Sequence, residues 1–188
     1  MTRIFIIGYM GVGKTTVGKK LANFFSLTFI DLDCYIQARQ HKTIPQLFEQ
    51  MGEEGFRRIE QQTLQEVAGF ENVVISTGGG TPCFFDNMNV MKQAGTTLYI
   101  EASPEVLAER LLLSKSARPL IAGKTKEELL AFVTRHLDSR RQYYEQAHLV
   151  FNVDQMLTKA EIEDKIENIA NKLQTFFKNN CSKNSVEE

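Results

Sequence analysis

The chain has 188 residues, of which 43% are hydrophobic, and these values predict one globular domain with a sizeable core. Its 22 basic and 23 acidic residues leave a formal net charge of −1 at pH 7, so we expect no binding of nucleic acid or of an anionic membrane. Only four strongly apolar residues precede Gly8, too few for a signal-peptide core or a membrane span. Cys34, Cys83 and Cys181 lack metal-site spacing and are interpreted as free thiols, so we predict a cytoplasmic protein.

Residues 8–16 carry the most specific motif of the chain, because they match the pattern GxxxxGK(S/T). The apolar run at residues 4–7 predicts a strand before the motif, and apolar residues at helical spacing predict a helix after it. In such a loop, main-chain N–H groups and the helix N-terminus surround phosphate oxygens. We therefore predict that a nucleoside triphosphate contacts Gly11, Val12, Gly13, Lys14, Thr15 and Thr16. Lys14 would reach the β and γ phosphates, and the Thr15 hydroxyl would bind Mg²⁺.

A second strand is predicted at residues 27–31, and two carboxylates, Asp31 and Asp33, follow its end. The carboxyl ends of strands in an open α/β sheet border the ligand crevice, so this pair is placed for metal or hydroxyl chemistry. A carboxylate at a strand end also caps helices, and that alternative stays open. Residues 34–50 are interpreted as short helices.

The next predicted helix opens near Gly52 and carries Arg57 and Arg58 close to its N-terminus. Cations are disfavoured there by the helix dipole, and local conflicts of this kind tend to occur at functional sites. For Arg58 a solvated side chain is the simpler interpretation.

A third strand, residues 73–76, is followed by three consecutive glycines, Gly78, Gly79 and Gly80. Glycines at this position are unfavourable for chain entropy, and they are expected where another molecule approaches the main chain closely. A plain flexible turn is the alternative.

The second half of the chain continues the alternation of strands and helices, with strands predicted at residues 97–100 and 148–151. Ser103 is predicted to cap one helix, and capping boxes beginning at Thr125 and Thr158 are predicted to start two more. Between the helices capped by Ser103 and Thr125, residues 114–123 lack helical periodicity and carry Arg118. This segment is predicted to be a mobile lid over the phosphate loop. This alternation predicts an α/β fold with a five-stranded parallel sheet and helices on both faces.

Taken in order, the phosphate loop, the Asp31–Asp33 strand end, Phe56-Arg57, the glycine triplet and Arg118-Pro-Leu resemble the shikimate kinase family. The resemblance covers about residues 1–153, and Arg57-x-x-Glu60 together with residues 74–80 matches the signature spacing of that family. One departure is Pro82, where the family usually has an aliphatic residue.

A second departure concerns the arginine that binds the acceptor in this family, which generally lies four residues before a tyrosine and eight before an alanine. Arg140 lies four residues before Tyr144 but only seven before Ala147, so Arg141 remains an alternative.

The resemblance implies a P-loop kinase fold like that of the nucleoside monophosphate kinases, formed by a single domain at residues 1–175. It implies an acceptor-binding segment at about 33–61 and a lid at about 113–125, and we expect a polar, disordered tail at 176–188. The implied reaction transfers the ATP γ-phosphoryl group to the 3-hydroxyl of shikimate, in the pathway to chorismate and the aromatic amino acids. We expect a monomer.

The same resemblance implies roles for individual residues. Thr15 would bind Mg²⁺ directly and Asp31 through water, while Asp33 would contact the acceptor hydroxyls and accept a proton. Arg57 and Arg140 would clamp the shikimate carboxylate. The remaining assignments are main-chain contacts to the ring hydroxyls from Gly78, Gly79 and Gly80, and charge neutralisation by Lys14 and Arg118.

Two other classes of protein use a similar phosphate loop. A gluconate kinase or nucleoside monophosphate kinase shares the scaffold, although Asp33 in the acceptor site would repel a second phosphate. A guanine-nucleotide switch would need an Asn-Lys-x-Asp run to read the base, and the sequence has none.

Overall fold

The structure is a computed structural model that describes residues 2–114, 123–155 and 159–184, without the side chains of residues 159–160 and 180–184. The central part of the predicted lid, including Arg118, and the predicted cap Thr158 lie outside the described residues.

A five-stranded parallel sheet forms the centre of the molecule, with the strand order β2-β3-β1-β4-β5. The strands are β1 (Arg3–Ile7), β2 (Thr28–Asp31), β3 (Val73–Ser76), β4 (Thr96–Glu101) and β5 (Leu149–Asn152). Four successive residues of β1, Ile4 to Ile7, have no solvent exposure. Because successive side chains of a strand point to opposite faces, both faces of the sheet are covered. The predicted fold class is confirmed.

Seven helices surround the sheet within the described ranges, together with one short 3₁₀ turn at Thr81–Cys83. The helices are α1 (Lys14–Phe25), α2 (Leu32–Gln40), α3 (Ile44–Ala68), α4 (Asn87–Ala94), α5 (Pro104–Leu113), α6 (Lys126–Tyr144) and α7 (Lys159–Asn184).

The helix starts follow the predicted caps wherever the structure describes them. The Ser103 side chain accepts a hydrogen bond from Val106 N at the start of α5. Thr125 and Glu128 form a complete capping box at the start of α6, with distances of 2.9 and 3.2 Å between their partner atoms. These caps satisfy N–H groups that the first helical turn leaves without intrahelical partners.

Helix α3 is kinked at Gly52, which has φ 67° and ψ −177° inside an otherwise helical segment. The predicted helix start near Gly52 is therefore the start of the second half of α3. The positive φ is readily adopted by glycine. The kink separates the first half of α3 from the half that carries Arg57.

The last helix continues past residue 176, where we expected a disordered tail to begin, and that boundary is corrected. Helix α7 extends to Asn184, and its residue Leu173 is fully buried. The Phe177 ring lies 6.1 Å from the ring of Phe25 on α1, centroid to centroid. In residues 161–179, the polar side chains lie on the exposed face of an amphipathic helix whose other face packs on the core.

Across the described ranges, no helix combines the length and the hydrophobicity that crossing a bilayer requires.

Candidate active site

The phosphate loop joins the end of β1 to the start of α1. Three of its glycines, Gly8, Gly11 and Gly13, have φ values of 146°, 81° and 106°, which L side chains rarely adopt. Gly13 occupies the N-cap position of α1 without a side-chain cap, and the first turn of α1 contains no acidic residue. The N-terminal end of α1 is therefore suited to an anion.

Lys14 extends back over this loop. Its Nζ donates hydrogen bonds to the carbonyl oxygens of Gly8, at 2.9 Å, and Tyr9, at 3.0 Å. The ammonium group is thus held above the loop where phosphate groups would lie. Val12 is buried, and Thr16 is exposed at the start of α1.

Thr15 and Asp31 meet between α1 and the end of β2. The Thr15 hydroxyl donates a hydrogen bond to Asp31 Oδ2 at 2.9 Å, while Asp31 Oδ1 accepts one from Cys34 N at 3.2 Å. Asp31 therefore caps α2 with one oxygen, as the capping alternative predicted, and keeps the other beside Thr15. A hydroxyl and a carboxylate are hard oxygen ligands of the kind that Mg²⁺ takes alongside water and phosphate, so the residues present fit this ion.

Asp33 lies in the first turn of α2, close to other charged groups. Burial raises the pKa of its carboxyl from 3.8 to about 6; the negative charge of Glu60 adds to the increase, and the Lys14 ammonium opposes it. A carboxylate with a pKa near neutrality is suited to accept a proton from a hydroxyl group.

Arg57, on the second half of α3, is buried in an ion-pair network. Its Nη1 donates to Glu60 Oε2 at 2.8 Å and its Nη2 to Glu53 Oε1 at 3.4 Å. Arg57 is 9% exposed and Glu60 only 1%. The Nε atom of Arg57 is buried and has no hydrogen-bond partner among the described residues. A buried donor without a partner is unfavourable and indicates a place for a ligand acceptor.

Three aromatic rings surround the Arg57 guanidinium group. Its Cζ atom lies 4.0 Å from the centroid of Phe84, 5.3 Å from that of Phe56 and 5.9 Å from that of Phe48. Aromatic faces attract a guanidinium group and orient its plane.

The glycine triplet after β3 lies where these groups converge. A Cβ atom at Gly78 would lie 3.0 Å from Asp33 Oδ1, and one at Gly80 would lie 2.8 Å from Arg57 Nη2. At Gly79 it would lie 3.1 Å from the Met10 main-chain nitrogen of the phosphate loop. Any side chain in the triplet would therefore displace a group of the candidate site.

Arg140 and Arg141 lie on different faces of α6. Arg140 Nη1 is 3.6 Å from the position that a Cβ atom of Gly79 would take, and its guanidinium carbon is 5.8 Å from the Tyr9 ring centroid. Arg141 is exposed and pairs with Asp138 at 3.5 Å and Glu145 at 3.9 Å. The side chain beside the glycine triplet is that of Arg140.

Two residues that the sequence analysis did not single out, Thr81 and Arg110, make hydrogen bonds near the site. The Thr81 hydroxyl donates to Glu60 Oε1 at 2.7 Å. On α5, Arg110 donates to the carbonyl oxygens of Val12 at 3.1 Å and Val153 at 2.8 Å, linking the phosphate loop to the chain after β5. Arg110 could have been found from the sequence, because it is a charged residue on the apolar stripe of a predicted helix.

Cys83 lies close to the two arginines of the site. Burial raises the pKa of its thiol to about 11, although the positive charges of Arg140 and Arg57 oppose that shift. The thiol is therefore protonated at neutral pH.

Comparisons with known proteins point to one family. A family model described as shikimate kinase matches residues 10–174. A curated shikimate kinase from Parabacteroides distasonis is 52% identical over 164 residues, which cover 87% of this chain and 95% of that protein.

Two solved structures extend the comparison. A crystal structure of shikimate kinase from Bacteroides thetaiotaomicron has a TM-score of 0.89 and 47% identity, covering 92% of this chain and 98% of that one. Shikimate kinase from Acinetobacter baumannii in complex with shikimate has a TM-score of 0.80 and 32% identity, covering 95% and 94% of the two chains.

Proposed function

We infer that this chain, which belongs to the shikimate kinase family, transfers the γ-phosphoryl group of ATP to the 3-hydroxyl group of shikimate. The observation that carries this conclusion is the convergence of the phosphate loop, Asp33 and Arg57 on the glycine triplet. In this arrangement a triphosphate on the loop would face the Asp33 carboxylate and the buried guanidinium group of Arg57. A related structure from Acinetobacter baumannii contains shikimate.

On the nucleotide side, we assign the triphosphate to the main-chain N–H groups of the phosphate loop and to Lys14. The hydrogen bonds from Lys14 to Gly8 O and Tyr9 O support this role, because they hold the ammonium group over the loop. Thr15 would hold Mg²⁺ directly and Asp31 through water. When bound, Mg²⁺ neutralises charge on the phosphate oxygens.

On the acceptor side, we assign the shikimate carboxylate to Arg57 and Arg140. The unpartnered Nε of Arg57 supports this assignment, since a carboxylate oxygen would satisfy it. The position of Arg140 beside Gly79 favours it over Arg141. The main chain of Gly78, Gly79 and Gly80 is assigned to the ring hydroxyls, where side chains would obstruct the acceptor.

Asp33 is assigned to the reacting hydroxyl group. The acceptor oxygen forms a bond to the γ phosphorus while the bond between that phosphorus and the bridging oxygen of ADP breaks, and the hydroxyl proton passes to the Asp33 carboxylate. The raised pKa of Asp33, near 6, supports this step because the group is ionised at neutral pH and still basic. Arg118 is assigned to the transferred phosphoryl group from the sequence alone.

The conclusion is tested by measuring ADP release from ATP and Mg²⁺ with shikimate, gluconate, AMP or no acceptor. Rapid release only with shikimate is expected. Turnover with AMP or gluconate, or none with shikimate, would contradict the conclusion and favour another small-molecule kinase.

Arg57→Ala distinguishes an effect on acceptor binding from an effect on nucleotide binding. It should weaken acceptor binding by about 1.5–3 kcal/mol, the range for a hydrogen bond to a charged group, and leave ATP affinity nearly unchanged. An equal loss of ATP affinity would show that Arg57 has been misassigned.

We also propose that the enzyme acts as a cytoplasmic monomer. The free thiols of Cys34 and Cys83 fit a reducing compartment, which supports the cytoplasmic assignment. Sedimentation analysis of the active enzyme with and without ligands tests the monomeric state, and fractionation of cells tests the cytoplasmic assignment.

A further inference from the structure

We propose that the turn after the glycine triplet, residues 81–84, positions Arg57 through the Thr81 hydroxyl and the Phe84 ring. The inference rests on the proposed function, because it concerns how the acceptor-binding arginine is held. Both side chains act through Arg57, so they are positioning residues rather than catalytic ones.

The first contact runs through the Glu60 carboxylate. The fully buried Thr81 donates its hydroxyl to Glu60 Oε1 at 2.7 Å, and Glu60 Oε2 accepts from Arg57 Nη1 at 2.8 Å. One oxygen of this buried carboxylate therefore binds Thr81, and the other binds Arg57. Removing the Thr81 hydroxyl leaves Oε1 without that donor, and the carboxylate reorients to recover one. Arg57 then loses its fixed partner.

The second contact is the stacking of Arg57 on Phe84. The ring centroid of Phe84 lies 4.0 Å from Arg57 Cζ, more than 1 Å closer than the rings of Phe56, at 5.3 Å, and Phe48, at 5.9 Å. The hydrogen bond to Glu60 fixes one edge of the guanidinium group, and the Phe84 ring fixes its plane. The unpartnered Nε then points in a defined direction.

The turn itself is well constrained. Thr81 N donates to Gly78 O at 3.2 Å, and the buried Asn87 donates its side-chain amide to Thr81 O at 2.9 Å. Pro82, the departure from the family pattern, is buried within the turn and fixes its backbone φ. Phe85 follows with φ 50°, and its ring is 54% exposed. Phe85, the first residue after the turn, therefore adopts a left-handed backbone conformation that non-glycine residues rarely adopt.

Two substitutions test the proposal in the full-length enzyme, with kcat and the KM values for shikimate and ATP as readouts. Thr81→Val should raise the KM for shikimate roughly tenfold, the scale of a lost hydrogen bond to a charged group. Phe84→Leu should raise it about three- to tenfold, the scale of a lost cation–π contact. Neither should change the KM for ATP. Thr81→Ser, which keeps the hydroxyl, should restore the wild-type KM.

Each substitution has a matched control. Thr63 is a buried threonine on α3 whose hydroxyl donates to Ile59 O at 2.8 Å, so Thr63→Val removes a similar hydrogen bond without touching Glu60. Phe85→Leu removes the neighbouring ring, which is exposed. Both controls should keep the wild-type KM for shikimate.

A third comparison repeats Thr81→Val and Phe84→Leu in an Arg57→Ala background. If both residues act through Arg57, their effects on the KM for shikimate disappear there. Effects that persist at full size overturn the proposal, as does an unchanged KM for shikimate in both single variants or an equal rise in the KM for ATP. If Thr81→Val fails to fold, Phe84→Leu decides by the same criteria.

The failure of this proposal is distinguishable from failure of the proposed function. A wild-type enzyme that releases no ADP with shikimate refutes the function, and the positioning role falls with it. A wild-type enzyme that turns over shikimate, with variants that bind it equally well, overturns the positioning role alone.

Discussion

Gly80 faces the guanidinium group of Arg57 so closely that a Cβ atom at this position would lie 2.8 Å from Nη2 and 2.9 Å from Nη1. Gly80 itself has φ −89° and ψ −19°, which any residue adopts without strain. The requirement for glycine at this position is therefore steric and comes from Arg57.

Gly80→Ala should raise the KM for shikimate by roughly 10- to 100-fold, because displacing an oriented binding group by about 1 Å has effects of that size. The KM for ATP should stay unchanged. Gly69→Ala is the matched control, since Gly69 also has an ordinary φ of −80° and lies at the end of α3. Steady-state kinetics of both variants provide the measurement, and a normal KM for shikimate in Gly80→Ala would contradict the contact.

The pH dependence of turnover should reflect Asp33. Because its pKa is raised to about 6, the ionised base is lost as the pH falls through that value, and kcat/KM for shikimate should decline below about pH 6. The negative charge of Glu60 contributes to the raised pKa, so Glu60→Gln should move the midpoint to lower pH. Profiles recorded at saturating ATP and Mg²⁺ measure both midpoints. An unchanged midpoint in Glu60→Gln would show that another group controls the profile.

Asp33→Asn should abolish turnover and stabilise the protein at pH 8. The raised pKa means that the folded state favours the protonated carboxyl, so the ionised group destabilises the fold at high pH. The expected gain in the free energy of unfolding is on the order of 3 kcal/mol well above pH 6. It should shrink as the pH falls from 6 towards 4, where wild-type Asp33 becomes protonated in the folded state. Urea denaturation at pH 8 and pH 5 measures the difference, and a gain of the same size at both values would refute its electrostatic origin.

Arg140→Ala should weaken shikimate binding, whereas Arg141→Ala should leave it unchanged. Arg140 lies beside Gly79, so its removal should weaken shikimate binding by about 1.5–3 kcal/mol. Arg141 pairs with Asp138 and Glu145 on the exposed face of α6, where such pairs contribute about 0–1 kcal/mol to stability. Calorimetric titration of each variant with shikimate gives the comparison. Weaker binding in Arg141→Ala alone would reverse the assignment.

Much of the fold was predictable because it depends on residues close together in the sequence. The phosphate loop is defined by a contiguous motif, and the strands are defined by short apolar runs. The caps at Ser103 and Thr125 each need only a side chain and an N–H group three residues away. Arg58 is exposed and pairs with Glu54 at 2.7 Å, as expected for a solvated side chain.

The support around Arg57 was not predictable from local patterns. Its position near the start of a helix indicated a conflict with the helix dipole, but not the compensating contacts with Glu53 and Glu60. Thr81 and Phe84 reach Arg57 only because β3 brings the following turn beside α3. The short helix α4 was not predicted, because its eight residues are too few to show a clear helical pattern.

The partly buried thiol of Cys83 has a consequence for inhibitor chemistry. A protonated thiol with a pKa of about 11 is a poor nucleophile at physiological pH, so electrophilic warheads and mild oxidants react with it slowly. Covalent compounds aimed at Cys83 are consequently a weak strategy against the acceptor site. A reversible compound with an acidic group matched to the Arg57 guanidinium group suits its chemistry better.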